Sequence, residues 1–211
     1  MKKTSSRGAP PRARGPGVRR AEVGRKTAET EVRVSLVLDG SGRAEMSTGV
    51  GFLDHMLTHV AAHGFNDLKV EATGDLHVDA HHTVEDVGIA LGQALDAALG
   101  DRKGIARFGE ASVPMDEALA MVVIDLSGRQ HLTYEDGLGP GALGAMDLEL
   151  VREFFEAFVR NSGATLHVRV LAGRNAHHVI EAVFKAFGRA LDAATRLDPR
   201  RVGIPSTKGS L

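Results

Sequence analysis

Two stretches of this chain repeat one another, and that repeat limits the folds open to it more than any other feature. Laid together without gaps, residues 81–99 and 177–195 agree at 11 of 19 positions. The agreement opens on His-His-x-x-Glu and closes on Ala-Leu-Asp-Ala-Ala. Two alanine-rich helices agree somewhat by composition alone, but a shared HHxxE start does not follow from composition. The order around it repeats too. In the first half TEVRVSLVLDGSG alternates apolar and polar residues into a tight turn, and FLDHMLTHVAAHG reads as a helix stopped at Gly64. DLKVEATGDLHVD then reads as two short strands around Thr73-Gly74, and HHTVEDVGIALGQALDAALG as a long helix closed by Gly100. The second half gives a strand in ALAMVVIDLSGR, a helix in LELVREFFEAFVRNSG, a strand in TLHVRVLAG and a long helix from His177. The glycine-rich stretch from about Gln130 to Asp147 reads as loop. The expected fold is α+β, a tandem duplication of two units, each a β-sheet carrying helices. Their approximate bounds are 24–107 and 108–211.

Composition narrows the function. The 211 residues carry a net charge of −1, no Cys, no Trp and 43% hydrophobic residues. Without Cys there is no disulfide, thiolate nucleophile or thiolate-bound zinc, and a reducing, cytoplasmic setting is expected. The near-neutral balance and scarce aromatics argue against a nucleic-acid partner. No apolar run approaches the roughly 18 residues of a membrane helix. The first 20 residues hold seven Lys/Arg and no acid; residues 1–23 read as a disordered basic tail.

The histidines carry the chemistry. His81 and Glu85 stand at i and i+4 on one helical face, and His82 points about 100° away. A single ion is not easily held by both adjacent histidines, so the pair suggests two sites or a bridge between chains. Imidazole and carboxylate without thiolate suit Mn, Fe, Co, Ni or Zn. His177, His178 and Glu181 repeat the unit. A third cluster, His55, His59 and His63, follows the earlier helix, and the duplication sets His55 opposite Glu153. His77, His131 and His167 lie outside the repeat and read as structural or surface residues. Arg107, Arg129, Lys185, Ser206 and Lys208 form a cationic and hydroxyl set able to hold a phosphate.

FLDHMLTHVAAHG, TGDLHVDAHHTVEDVGIALG, GIARFG, MDEALA, IDLSGR, GRNAHHVIEAVFKAFGRAL and GIPSTKG resemble the imidazoleglycerol-phosphate dehydratase family from about Gly24 to the last residue. The resemblance implies a fold of the ribosomal protein S5 domain 2-like type and a 24-subunit homo-oligomer. It implies two Mn²⁺ per subunit, in sites completed by neighbouring chains. Carried over, the metal ligands are His55, His81, His82, Glu85, His177, His178 and Glu181. Several members place an eighth ligand, a His, where this chain has Glu153. Glu29, in TAET, matches a substrate-contacting acid/base. His63 matches a substrate contact, and Arg107, Arg129, Lys185, Ser206 and Lys208 match phosphate-binding positions. The implied reaction dehydrates D-erythro-imidazole-glycerol phosphate to imidazole-acetol phosphate in L-histidine biosynthesis, through an imidazolate/diazafulvene-type mechanism.

Two other readings use the same residues. A dinuclear phosphoester hydrolase would employ two ions and a basic clamp, and would release phosphate. A metal-storage cage would need the ligands but neither Glu29 nor the clamp.

Overall fold

The computed structural model describes residues 18–211. The first half runs β1 (Arg20–Lys26), β2 (Thr30–Val37), β3 (Ala44–Ser47), α1 (Gly51–Gly64), β4 (Asp67–Gly74) and α2 (His81–Leu99). The second runs β5 (Phe108–Met115), β6 (Ala118–Asp125), β7 (His131–Glu135), α3 (Glu149–Ser162), β10 (Thr165–Ala172) and α4 (Ala176–Thr195). A small hairpin, β8 (Ala142–Leu143) and β9 (Met146–Asp147), stands before α3. Both main sheets have four strands in one topology, β1-β2-β4-β3 and β5-β6-β10-β7, with the last pair parallel and the others antiparallel. The duplication read from the sequence is therefore a duplication of topology.

Alternation along the strands makes the layers. Val32, Val34 and Leu36 of β2, and Ala118, Ala120, Val122 and Ile124 of β6, are buried, while the residues between them are more exposed. Helices cover the buried faces, α2 over β1 and β2, and α4 over β5 and β6. The halves then meet helix to helix and crosswise, α1 on α4 and α2 on α3. A core of Phe154, Phe155, Phe158, Phe184 and Phe187, with neighbouring rings 5.1–5.5 Å apart, binds α3 to α4. Burying such rings contributes about 1.5–3 kcal/mol each. The crosswise pairing positions the site, because it lays the histidine turn of α1 beside the HHxxE turn of α4.

Four expectations change. Most of the tail read over 1–23 lies outside the described residues, but its end does not: β1 begins at Arg20 and pairs with β2 from Arg20↔Val37 to Lys26↔Glu31. Gly64 is the last residue of α1, and the left-handed cap beyond it is Phe65, at φ 51°. DLKVEATGDLHVD holds one strand, β4; after Gly74 the chain turns, with the Val78 N–H donating to the Asp75 carbonyl. The stretch read as loop from Gln130 contains β7, whose five residues pair with β10, and the β8–β9 hairpin.

Candidate active site

The crosswise packing of α1 on α4 gathers the first cluster. Glu181 is buried, 5% exposed, and its Oε2 lies 3.2 Å from His55 Nε2 and 3.1 Å from His177 Nε2. Its Oε1 accepts from Lys185 Nζ at 2.6 Å. His59 Nε2 is 3.5 Å from the same oxygen but buried with no hydrogen-bond partner among the described residues. Burial pushes the Glu181 carboxyl up. The Lys185 hydrogen bond and the neighbouring charges of His59 and Lys185 outweigh it and hold the carboxyl at about 2. Burial drives His59 down to about 4, so its ring stays neutral at ordinary pH. The result is a carboxylate kept anionic beside the neutral ring of His59. Donor atoms of His55, His177 and Glu181 lie within 4.8 Å of one another. Two imidazole nitrogens and a carboxylate oxygen so placed fit a divalent transition ion.

A second group forms at the start of α2 from Glu29, Asp75 and His82, again with donor atoms within 4.8 Å. His82 Nδ1 is 3.0 Å from Asp75 Oδ2 and 3.7 Å from Glu29 Oε2. The Asp75 hydrogen bond raises the pKa of His82. Glu29 stands on the β1–β2 turn, which is tightly tied. Thr27 Oγ1 accepts from the backbone N–H of Glu29 and Thr30. Thr30 donates its hydroxyl to buried Asp86 of α2, and Arg25 Nε donates to the other Asp86 oxygen at 2.8 Å.

His178 occupies the place in α4 that His82 has in α2, and its Nδ1 is 2.7 Å from Glu117 Oε2 on the β5–β6 turn. The side chains of His81, Glu85 and Glu153 make no hydrogen bond or ion pair among the described residues, so one chain does not gather them with the others. Glu153 is the fifth residue of 14-residue α3, as His55 is of 14-residue α1.

The cations divide. Lys185 joins the first cluster, and His63 stacks on His59 with ring centroids 5.6 Å apart. Burial first, and then the charges of Lys185 and Arg189, lower the His63 pKa. Arg107 precedes β5, at the other end of the β5-β6-β10-β7 sheet from the Glu117 turn. Its Nε and Nη2 grip Asp125 at 2.7 and 3.0 Å, and its Nη1 donates to the Pro205 carbonyl at 2.8 Å. Arg129 is 3.9 Å from Asp125, and the Lys208 N–H donates to Ser206 Oγ at 3.2 Å. Between Asp125 and the Glu117 turn runs the eight-residue strand β6, about 24 Å at ~3.4 Å per residue. Within one chain Arg107 and Arg129 are thus far out of reach of a small molecule held at His177 and His178.

Three contributors escaped sequence reasoning as site residues in their own right. His59 lay within the α1 cluster but had no assigned role. Asp75 and Glu117 stood inside the quoted TGDLHVDAHH and MDEALA. The duplication held a signal for Glu117, because its β5–β6 turn is the counterpart of the β1–β2 turn that carries Glu29.

Comparison with known proteins identifies a family. The family model described as imidazoleglycerol-phosphate dehydratase matches residues 48–191. Curated relatives of that name include those of Acetivibrio thermocellus, 59% identical over 92% of this chain and 99% of its own, and Aminomonas aminovorus, 58% identical over 92% of this chain and 100% of its own. Among solved structures, the imidazoleglycerol-phosphate dehydratase of Staphylococcus aureus aligns with TM-score 0.76 and 41% identity over 85% of this chain and 99% of its own. That of Pyrococcus furiosus aligns with TM-score 0.77 and 37% identity over 90% of this chain and 100% of its own. The chain belongs to the imidazoleglycerol-phosphate dehydratase family.

Proposed function

We propose that this chain is a hydro-lyase of histidine biosynthesis that dehydrates D-erythro-imidazole-glycerol phosphate to imidazole-acetol phosphate with two divalent ions, Mn²⁺, per subunit. The observation that carries the metal reading is the convergence of His55, His177 and Glu181, drawn from both halves onto one point with the carboxylate held anionic. The second ion has its nucleus in the remaining HHxxE residues, His81, His82 and Glu85 at the start of α2 and His178 at the start of α4. When bound, the ions supply Lewis-acid activation of the substrate's imidazole ring, which makes an otherwise non-acidic C–H proton removable. The rest falls to side chains. Glu29, on a turn fixed by Thr27 and Asp86, moves the proton at the reacting carbon. Lys185 and His63 line the approach from the first cluster. Arg107, Arg129, Ser206 and Lys208 clamp the phosphate and thereby position the chain of the substrate.

One chain holds the clamp about 24 Å from its histidines, by the length of β6. We therefore read the working site as assembled from several copies, with the clamp of one subunit facing the histidines of another in a 24-subunit homo-oligomer. The unpartnered His81, Glu85 and Glu153 fit the same reading, as ligands waiting for a second chain.

Metal analysis of the purified protein, combined with a dehydratase assay after chelation and Mn²⁺ return, tests the proposal. Activity should vanish with the metal and return with about two ions per subunit, with phosphate retained in the product. Full activity in the metal-free protein, or release of inorganic phosphate, would overturn it.

A further inference from the structure

The second histidine of each HHxxE unit is held from outside its own helix. His178 Nδ1 lies 2.7 Å from Glu117 Oε2, and His82 Nδ1 lies 3.0 Å from Asp75 Oδ2. The two carboxylates are not counterparts in the repeat. Asp75 follows strand β4, whereas Glu117 sits on the turn between β5 and β6. The repeat counterpart of Glu117 is Glu29, which lies 3.7 Å from His82 Nδ1, so in the first half Asp75 makes the short contact that Glu117 makes in the second. In both halves it is the Nδ1 edge that is engaged.

We infer that Glu117 and Asp75 are positioning residues that fix the ring and tautomer of His178 and His82, so that Nε2 of each faces a metal ion. The inference rests on reading the HHxxE histidines as ligands. An unprotonated carboxylate can only accept, so it selects the tautomer with the proton on Nδ1 and leaves the Nε2 lone pair free for an ion. Glu117 suits this task because it is itself immobilised. Its other oxygen accepts from the backbone N–H of Asn175 at 2.9 Å and, more loosely, of Arg174 at 3.4 Å, the residues that lead into α4. The β5–β6 turn is thereby splinted to the start of the ligand helix. The far ring nitrogen of His178, Nε2, makes no hydrogen bond among the described residues; Asp116 Oδ2 lies 3.8 Å away, beyond hydrogen-bond length. Asp75 is similarly restrained by the turn that its own carbonyl closes with Val78.

Glu117→Gln separates the positioning role from the splint. The amide oxygen still accepts from Asn175, while the amide nitrogen donates to His178 Nδ1 and forces the ring proton onto Nε2. Mn²⁺ affinity, titrated against a competing chelator on the full-length protein, should fall about 10–100-fold for one of the two ions. The melting temperature of the metal-free protein should stay at the wild-type value. Asp75→Asn should weaken an ion in the same way through His82, and the double variant should weaken both HHxxE units. Wild-type Mn²⁺ affinity in both single variants would overturn the inference while leaving the ligand reading intact. So would a loss of affinity matched by a fall in metal-free melting temperature, because the carboxylates would then be structural ties only. Failure of the wild-type protein to take up Mn²⁺ would overturn the ligand reading and this inference together.

Discussion

Gly92 and Gly188 stand at the same place in the two repeats, and each marks where its helix touches a helix of the other half. A Cβ on Gly92 would come 2.6 Å from the Phe158 carbonyl oxygen of α3, and one on Gly188 would come 2.9 Å from the Val60 carbonyl oxygen of α1. Both obstacles are backbone, so neither swings away, and the helices must separate to admit a methyl group. Gly92→Ala and Gly188→Ala should each destabilise the metal-free protein by about 1–3 kcal/mol, with Gly92→Ala the costlier because its contact is shorter. Gly188→Ala should also loosen Mn²⁺ binding, since α1 and α4 carry His55 and Glu181. Denaturant midpoints equal to wild type in both variants would show that the helices do not meet there in solution.

The base is tested separately from the ligands. Glu29 lies on a turn rather than on a ligand helix, 3.7 Å from His82 Nδ1. Glu29→Gln preserves shape and removes basicity. It should leave Mn²⁺ and substrate affinity within a few-fold of wild type and lower kcat by about 10²–10⁴-fold. Retained kcat would take the proton-transfer role away from Glu29.

The parts of this architecture visible in the sequence are those with a local cause. The helices announced themselves by apolar spacing, β2 and β6 by alternation, and the ligand turns by HHxxE written twice. What stayed hidden depends on approach through space. β7 is only five residues of mixed polarity, and it becomes a strand because β10 offers it an edge. Gly64 reads as a helix stop, yet its small size serves contact with Gly188, whose carbonyl oxygen a Cβ there would meet at 3.0 Å. Asp75 and Glu117 look like turn residues until the turns fold back onto α2 and α4. The clamp and the histidines look like one set along the chain, and the length of β6 is what parts them.

Acid should reveal a tie away from the site. Asp67, at the start of β4, accepts from Arg43 Nη2 at 2.6 Å and from the backbone N–H of Ser41 at 2.7 Å, pinning the β2–β3 loop. The Arg43 guanidinium, and then the Ser41 N–H, hold its carboxyl well below the usual range against a smaller opposing effect of burial. A carboxyl depressed in the folded state stabilises fully above its unfolded pKa, about 4, and loses that contribution as pH falls from there toward the folded value. Asp67→Asn should therefore lower stability near neutral pH and flatten its decline below about pH 4. The readout is the denaturant midpoint of metal-free protein between pH 6 and 3, and parallel curves for variant and wild type would remove Asp67 from the acid response.

Glu153 stands where the resemblance leads one to expect a His ligand, and the fold gives it a definite neighbourhood. A Cβ on Gly88 would lie 2.6 Å from the Phe154 carbonyl oxygen, so the turn of α2 bearing Glu85 runs beside the turn of α3 bearing Glu153. In the other crosswise pair, α1 on α4, the matching turns bring His55 Nε2 to 3.2 Å from Glu181. The repeat thus sets Glu153 toward Glu85 as His55 is set toward Glu181, but with two carboxylates where the first cluster has an imidazole and a carboxylate. Two carboxylates facing one site would repel without a cation between them. An oxygen donor in place of nitrogen should favour Mn²⁺ over later, softer ions. Glu153→Ala should weaken Mn²⁺ binding by about 10-fold or more, and Glu153→His should restore affinity while shifting preference toward Zn²⁺. Both affinities are measurable by competition on the purified protein. Should Glu153→Ala bind Mn²⁺ and Zn²⁺ as tightly as wild type, Glu153 is no ligand, and the eighth position belongs to water or substrate.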